Sequence, residues 1–114
     1  MATFQELASG YAKRIREAIA LDGFTNRTRV ASHEIKNSKT LQTAKEIGRE
    51  IDGLVYTASR QPLSDADKRA IKELIDRELG LPTRMQKSFA VESASNDDLS
   101  DLADVIENIL GGNK

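Results

Sequence analysis

Residues 41–60 read LQTAKEIGREIDGLVYTASR, and this stretch decides the fold. Its apolar side chains recur at alternating spacings of three and four residues: Ala44, Ile47, Ile51, Leu54 and Ala58. A helix places residues at these spacings on one side, where they form a short heptad seam. The stretch therefore predicts one continuous helix of about 20 residues that packs against other helices. Such a seam also suits a homodimer.

A second helix is predicted over residues 3–22, before this stretch. Its apolar side chains share one helical face: Phe4, Leu7, Tyr11, Ile15, Ala18 and Ile19. Thr3 is a candidate N-cap, and Asp22 and Gly23 form a stop signal. Residues 24–40 are mostly polar, which indicates a long connection that holds a short helix near 30–36.

After Pro62, the sequence predicts a further helix that begins at Ser64. A hydroxyl cap followed by Asp65 and Asp67 suits the positive end of a helix dipole. The apolar face of this helix consists of Ile71, Leu74, Ile75 and Leu79. Gly80 and Pro82 are expected to end it.

The last helix is predicted over residues 97–110, after a polar tether at 83–96 that carries Phe89 and Val91 as anchoring side chains. Apolar residues line one face: Leu99, Leu102, Ile106, Ile109 and Leu110. Acidic residues occupy the other face, and Gly111 and Gly112 end the helix. We therefore expect an all-α fold, a small bundle of three or four main helices in one domain of 114 residues. Residues 1–82 form its helical core, and the acidic segment 97–114 packs on the same domain.

Charge is distributed unevenly along the chain. The first fifty residues carry a net charge of +3 and residues 89–114 carry −5, although the whole chain has a net charge of only −1. A basic front and an acidic tail suggest two binding faces, or one face that neutralises the other.

The sequence argues against catalysis and against a cofactor. There is no cysteine, the single histidine, His33, lies in a polar stretch, and no glycine-rich phosphate loop is present. The acids at the start of the last helix are spaced one turn apart: Asp97, Asp98, Asp101 and Asp104. Because hard cations are usually bound by loops and backbone carbonyls, we interpret these acids as a solvated face and expect no metal.

The basic residues of the front half are candidates for contact with nucleic acid: Arg27, Arg29, Lys36, Lys39, Lys45 and Arg49. Hydroxyl and amide side chains lie among them, and all of these groups donate to phosphate oxygens. Since the sequence pI is about 5.8, electrostatic attraction to nucleic acid is weak. We therefore expect any such binding to be weak.

Residues 43–60 also resemble a helix-turn-helix motif. In that interpretation Ala44 packs between two helices, a glycine opens the turn, and four side chains face a groove: Tyr56, Thr57, Ser59 and Arg60. Arg49 stands where such motifs usually bury an apolar residue, and the heptad seam runs through the proposed turn. The continuous helix is favoured, and the motif stays an alternative.

The last helix has the composition of a protein-docking segment. Its apolar stripe and carboxylates fit an apolar groove with a basic rim, so we expect partner contacts from Leu99, Leu102, Ile106, Ile109, Leu110, Asp101 and Asp104. The function predicted from the sequence is a small non-enzymatic regulator that binds another protein, as an inhibitor or adaptor. The alternative is a nucleic-acid-binding regulator of repressor or antitoxin type. No apolar run is long enough to span a membrane, and we expect a cytoplasmic protein.

Overall fold

The computed structural model describes residues 4–27, 29–54, 62–83, 86 and 96–111, and it describes the side chains of all of these except 96–98. The described residues form helices: α1 (Phe4–Leu21), α2 (Ser32–Ile35), α3 (Lys39–Asp52), α4 (Asp65–Glu78) and α5 (Asn96–Gly111), with a 3₁₀ turn at Phe24–Asn26. The all-α bundle predicted from the sequence is confirmed, including the short helix in the polar connection. None of the helices in the described ranges is long and apolar enough to span a membrane.

Helix α1 is the central element of the bundle. It packs against α4 and α3, and α5 packs chiefly on α2. Every helix contributes to one aliphatic core, whose largest fully buried apolar side chains are Ile15, Ile19, Ile35, Ile47, Ile51, Ile71, Ile75 and Ile106. The core is mainly aliphatic, and Tyr11 and Phe24 are its buried aromatic residues.

The stop signal after α1 works as the sequence predicted. The Asp22 and Gly23 amides donate to the Ala18 and Ala20 carbonyls, both at 3.0 Å, which ends the last turn. Gly23 has a φ of 77°, a left-handed conformation that glycine adopts without a steric penalty. The chain therefore reverses at Gly23 and leads into the 3₁₀ turn.

The prediction of one continuous helix over residues 41–60 is wrong, because α3 ends at Asp52 and residues 53–54 are not helical; residues 55–60 lie outside the described residues. The Gly53 amide donates to the Arg49 carbonyl at 2.9 Å, and the Leu54 amide donates to the Ile51 carbonyl at 3.1 Å, which tightens the final turn. The seam itself is confirmed as far as the helix reaches, since Ala44, Ile47 and Ile51 are fully buried. Leu54 is partly buried against the core without being helical, and Ala58 lies outside the described residues.

Side chains from α4 explain why α3 ends at this position. Lys68 donates its Nζ to the Asp52 carbonyl at 2.8 Å, and Lys72 pairs with the Asp52 carboxylate at 3.2 Å. A cation at the C-terminal end of a helix satisfies an otherwise unpaired carbonyl and interacts favourably with the dipole. Glycine at position 53 weakens the helix further because of its low helix propensity.

Helix α4 begins and ends as predicted. The Ser64 hydroxyl accepts from the Asp67 amide at 3.2 Å, and the Asp67 carboxylate accepts from the Ser64 amide at 3.1 Å, so the two residues form a capping box. At the other end, Gly80 has a φ of 75° and its amide donates to the Arg77 carbonyl at 3.0 Å. This conformation turns the chain towards Leu81, which is buried.

Candidate interaction surfaces

The structure divides the predicted partner-binding residues of α5 into two groups. Leu102 and Ile106 are buried, at 3 % and 0 % exposure, within the core of their own chain. Leu99, Ile109 and Leu110 are partly buried against that core, whereas Asp101 and Asp104 are exposed. The centre of the apolar stripe therefore packs on the bundle, and the carboxylates face outward.

One polar contact helps to fix the orientation of α5. The Glu107 carboxylate accepts a hydrogen bond from the Val30 amide at 3.3 Å, at the start of the segment that leads into α2. Asp101 and Asp104 are three residues apart, so they project from the same side of the helix. In the described part of the chain, neither carboxylate forms an ion pair. We call these two residues the acidic face of α5.

The basic residues proposed for nucleic-acid contact do not form one continuous surface. Arg27 pairs with Glu34, and its guanidinium lies 5.9 Å from the centre of the Phe24 ring. The hydrogen bond from Arg27, with a second one from the Ala31 amide, lowers the pKa of the Glu34 carboxyl. Arg27 is therefore paired with a carboxylate of its own chain. Arg29, two residues further along, is exposed.

Carboxylates also interrupt the basic residues of α3. Lys45 is partly buried and Arg49 is exposed, but Glu46 and Glu50 lie on the same outward side of the helix. The Arg14 guanidinium of α1 lies 3.7 Å from the Glu46 carboxylate and 2.7 Å from the Glu50 carboxylate. Negative charges between the cations weaken the attraction of this side of α3 for a phosphate backbone.

The same contact between α1 and α3 includes Tyr11. The Arg14 guanidinium lies 5.9 Å from the centre of the Tyr11 ring. Burial raises the pKa of the Tyr11 hydroxyl, and the negative charge of Glu50 raises it further. This group of side chains joins two helices and is already satisfied internally, so we assign it a structural role.

The N-terminus of α3 is occupied by Asp22, whose role the sequence did not reveal. One carboxylate oxygen accepts from the Lys39 amide at 2.8 Å, and the other accepts from the Thr40 amide at 2.8 Å and the Thr40 hydroxyl at 2.5 Å. Free amides at a helix N-terminus are a common binding site for phosphate. Because Asp22 already takes these donors, α3 offers no phosphate site at this end.

Leu21, directly before Asp22, is the exposed large apolar side chain of the described residues, with 76 % of its surface accessible. The hydrogen bond between Asp22 and the Lys39 amide holds the end of α1 beside the start of α3. Lys36, three residues before Lys39, is exposed, as is Lys39 itself, and neither forms an ion pair with the described part of the chain. We call Leu21, Lys36 and Lys39 the basic corner.

A polar contact between α1 and α4 was also missed by the sequence analysis. The Glu78 carboxylate accepts hydrogen bonds from the Gln5 side-chain amide and from the Ser9 hydroxyl, each at 3.0 Å. The Arg16 guanidinium donates to the Glu78 backbone carbonyl. No local sequence signal pairs residues that lie more than sixty positions apart. These contacts stabilise the helix pair and are not accessible to a ligand as free groups.

The residues considered for catalysis or metal binding are His33 and the acids at the start of α5. Within the described ranges, no three His, Cys, Asp or Glu side chains lie together in an arrangement that would hold a metal ion. His33 is exposed on α2. The side chains of Asp97 and Asp98, which precede Asp101 and Asp104 on the same helix, lie outside the described residues.

The helix-turn-helix interpretation is tested only in its first half. Gly48 is buried inside α3, so no turn opens there, and Gly53 is the residue at which α3 ends. The four residues proposed to face a groove lie outside the described residues: Tyr56, Thr57, Ser59 and Arg60. The break at Gly53 satisfies one requirement of such a motif, and the position of a second helix stays a prediction.

No protein-family model matches the chain, and no curated protein sequence or solved structure is significantly similar to it.

Proposed function

We propose that this protein acts without catalysis, by binding another protein as an inhibitor or adaptor through the outward side of α5. The observation that supports this proposal is the docking of Leu102 and Ile106 on the core, because it orients Asp101 and Asp104 towards solvent. A helix held in place in this way loses little conformational freedom when a partner binds.

The partner should present a basic surface. Asp101 and Asp104 supply two adjacent carboxylates on the exposed side of α5. Complementary charge of this kind raises the rate of association and selects against acidic proteins. In contrast to the sequence-based expectation, Leu102 and Ile106 do not contact the partner while α5 stays docked.

A capture experiment tests the proposal. The immobilised chain is incubated with extract of the native host, and bound proteins are compared with those bound by the double variant Asp101→Lys/Asp104→Lys. The matched control is Glu17→Lys/Glu73→Lys, which makes the same charge change at exposed positions of α1 and α4. We expect the wild type and the control to retain a protein that the α5 variant loses. Equal recovery by all three would overturn the proposal.

Binding to nucleic acid is the second candidate function. Arg29, Lys36 and Lys39 are exposed cations without an internal carboxylate partner in the described part of the chain. We rank this function second because Arg27 is paired with Glu34 and because Asp22 occupies the N-terminus of α3. The few cations left for phosphate contact give only weak, unspecific binding.

A further inference from the structure

We propose that the basic corner of one molecule binds the acidic face of α5 of a second copy, so that the protein forms a two-fold symmetric homodimer. Lys36 and Lys39 would face Asp101 and Asp104 of the second copy. Leu21 would pack beside them on the outward side of α5. The homodimer would occupy the same outward side of α5 as the proposed partner, so a second copy and that partner would compete for it.

Charge complementarity is the first argument for a second copy. The corner carries exposed lysines and the helix carries exposed aspartates, and neither set is neutralised within the described part of its own chain. One chain therefore presents both halves of an electrostatically matched contact. Like charges placed opposite one another would be strongly disfavoured, which fixes the orientation of the two copies.

The exposed Leu21 is the second argument. The next residue, Asp22, is hydrogen-bonded on both sides: its amide donates to the Ala18 carbonyl, and its carboxylate accepts from the Lys39 amide. Burying such a side chain in a contact removes apolar surface from water. A leucine offers no aromatic face on which a nucleic-acid base could stack, so the corner fits a protein surface better than a nucleic acid.

A two-fold arrangement would close the contact. Lys36 lies at the end of α2, and α5 packs on α2 through its apolar side, with Glu107 bonded to Val30 before the start of that helix. Asp101 and Asp104 lie on the opposite, exposed side of α5. Each corner would contact the α5 of the other copy, giving two equal contacts and no open chain of molecules.

Sedimentation velocity of the purified full chain over a range of concentrations at low salt tests the dimer. We expect the wild type to dimerise, and we expect each charge-reversal variant, Lys36→Glu/Lys39→Glu and Asp101→Lys/Asp104→Lys, to weaken dimerisation by more than about tenfold, because like charges then face each other. An equimolar mixture of the two variants should form heterodimers in which both contacts are complementary, because the acidic corner of one variant faces the basic α5 of the other and the basic corner faces the acidic α5. Leu21→Asp should also weaken the dimer, whereas Ala66→Asp, at an exposed site on α4, should not.

Each alternative result has a defined meaning. A wild type that stays monomeric at all concentrations overturns the proposal, and so does a dimer that both charge reversals leave intact. Failure of the mixed variants to associate would show that these four side chains do not pair. Circular dichroism melts confirm that the variants are folded. Because Lys36→Glu/Lys39→Glu leaves the acidic face intact, capture of a foreign partner by this variant separates the dimer from the proposed function.

Discussion

Asp22 joins the end of α1 to the start of α3, and its effect on stability can be measured directly. Replacing it with alanine leaves the Lys39 and Thr40 amides and the Thr40 hydroxyl without their acceptor. Loss of a helix cap typically costs about 0.5–2 kcal/mol. We expect Asp22→Ala to lower the free energy of unfolding in urea by about 1–2 kcal/mol, the upper part of that range, because three donors lose their partner.

Asp101→Ala is the control for this measurement, because it also removes a carboxylate but from an exposed site without an ion pair in the described part of the chain. Its free energy of unfolding should stay within about 0.5 kcal/mol of the wild-type value. Equal stability of Asp22→Ala and Asp101→Ala would show that the Asp22 cap does not stabilise the fold.

The ion pair between Arg27 and Glu34 implies that removal of Arg27 changes the pKa of the Glu34 carboxyl. The hydrogen bond from Arg27 is the main cause of the lowered pKa of Glu34, and the Ala31 amide is the second. Arg27→Ala should therefore raise this pKa towards the ordinary glutamate value, as measured by NMR titration of the side-chain carboxyl carbon. Arg29→Ala is the matched control and should leave the pKa unchanged.

The sign of the linked stability follows from the direction of this shift. Because folding lowers the pKa of Glu34, its contribution to stability is present above the pKa of the unfolded chain. The contribution is lost as the pH falls through the folded-state pKa. A Glu34 pKa that is the same in wild type and Arg27→Ala would show that Arg27 does not hold this carboxylate in solution.

At the scale of the elements, local sequence signals predicted the ends of helices correctly where no tertiary contact determined them. The stop at Gly23, the cap at Ser64 and the left-handed Gly80 each act within a few residues, and all three were predicted. The end of α3 was not, because it depends on Lys68 and Lys72 of another helix. An apolar pattern that continues past Asp52 does not reveal such a contact.

The candidate site was predictable only in part, for the same reason. The amphipathic pattern located the two faces of α5, but it could not show that Leu102 and Ile106 pack on their own chain. The sequence did not indicate Leu21 as a contact residue, since an apolar residue at the end of a helix is common. Its exposure is a property of the folded chain that only the tertiary structure shows.

The packing of α5 on the core predicts that this helix contributes to global stability. Leu102→Ala and Ile106→Ala each remove buried methyl and methylene groups, which costs roughly 2–5 kcal/mol at a fully buried site. We expect each substitution to lower the free energy of unfolding within that range, measured in urea by circular dichroism. Ser100→Ala, on the exposed side of α5, serves as the control. Unchanged stability in both core variants would mean that α5 does not dock on its own chain in solution.

At the scale of the whole molecule, the charge distribution limits what the protein can bind. The net charge of −1 gives no general attraction to polyanions. The structure then removes Arg27 from the basic front and places Glu46 and Glu50 among the cations of α3. Any affinity for nucleic acid must therefore come from a local group of cations and not from the field of the whole protein.

We therefore expect weak, salt-sensitive binding of nucleic acid, carried by Arg29, Lys36 and Lys39. Each phosphate contact on duplex DNA contributes a slope of about −0.9 to the logarithm of affinity against the logarithm of salt concentration, so three contacts give a slope of about −3 at most. Fluorescence anisotropy with labelled duplexes of two unrelated sequences measures both the slope and the selectivity. Replacing all three residues with glutamine should abolish the binding, whereas a matched triple at exposed cations elsewhere, Lys13, Arg69 and Arg77, should weaken it little. Tight, sequence-selective binding at physiological salt would require contacts from outside these residues, and it would place nucleic-acid binding ahead of protein binding as the function of the chain.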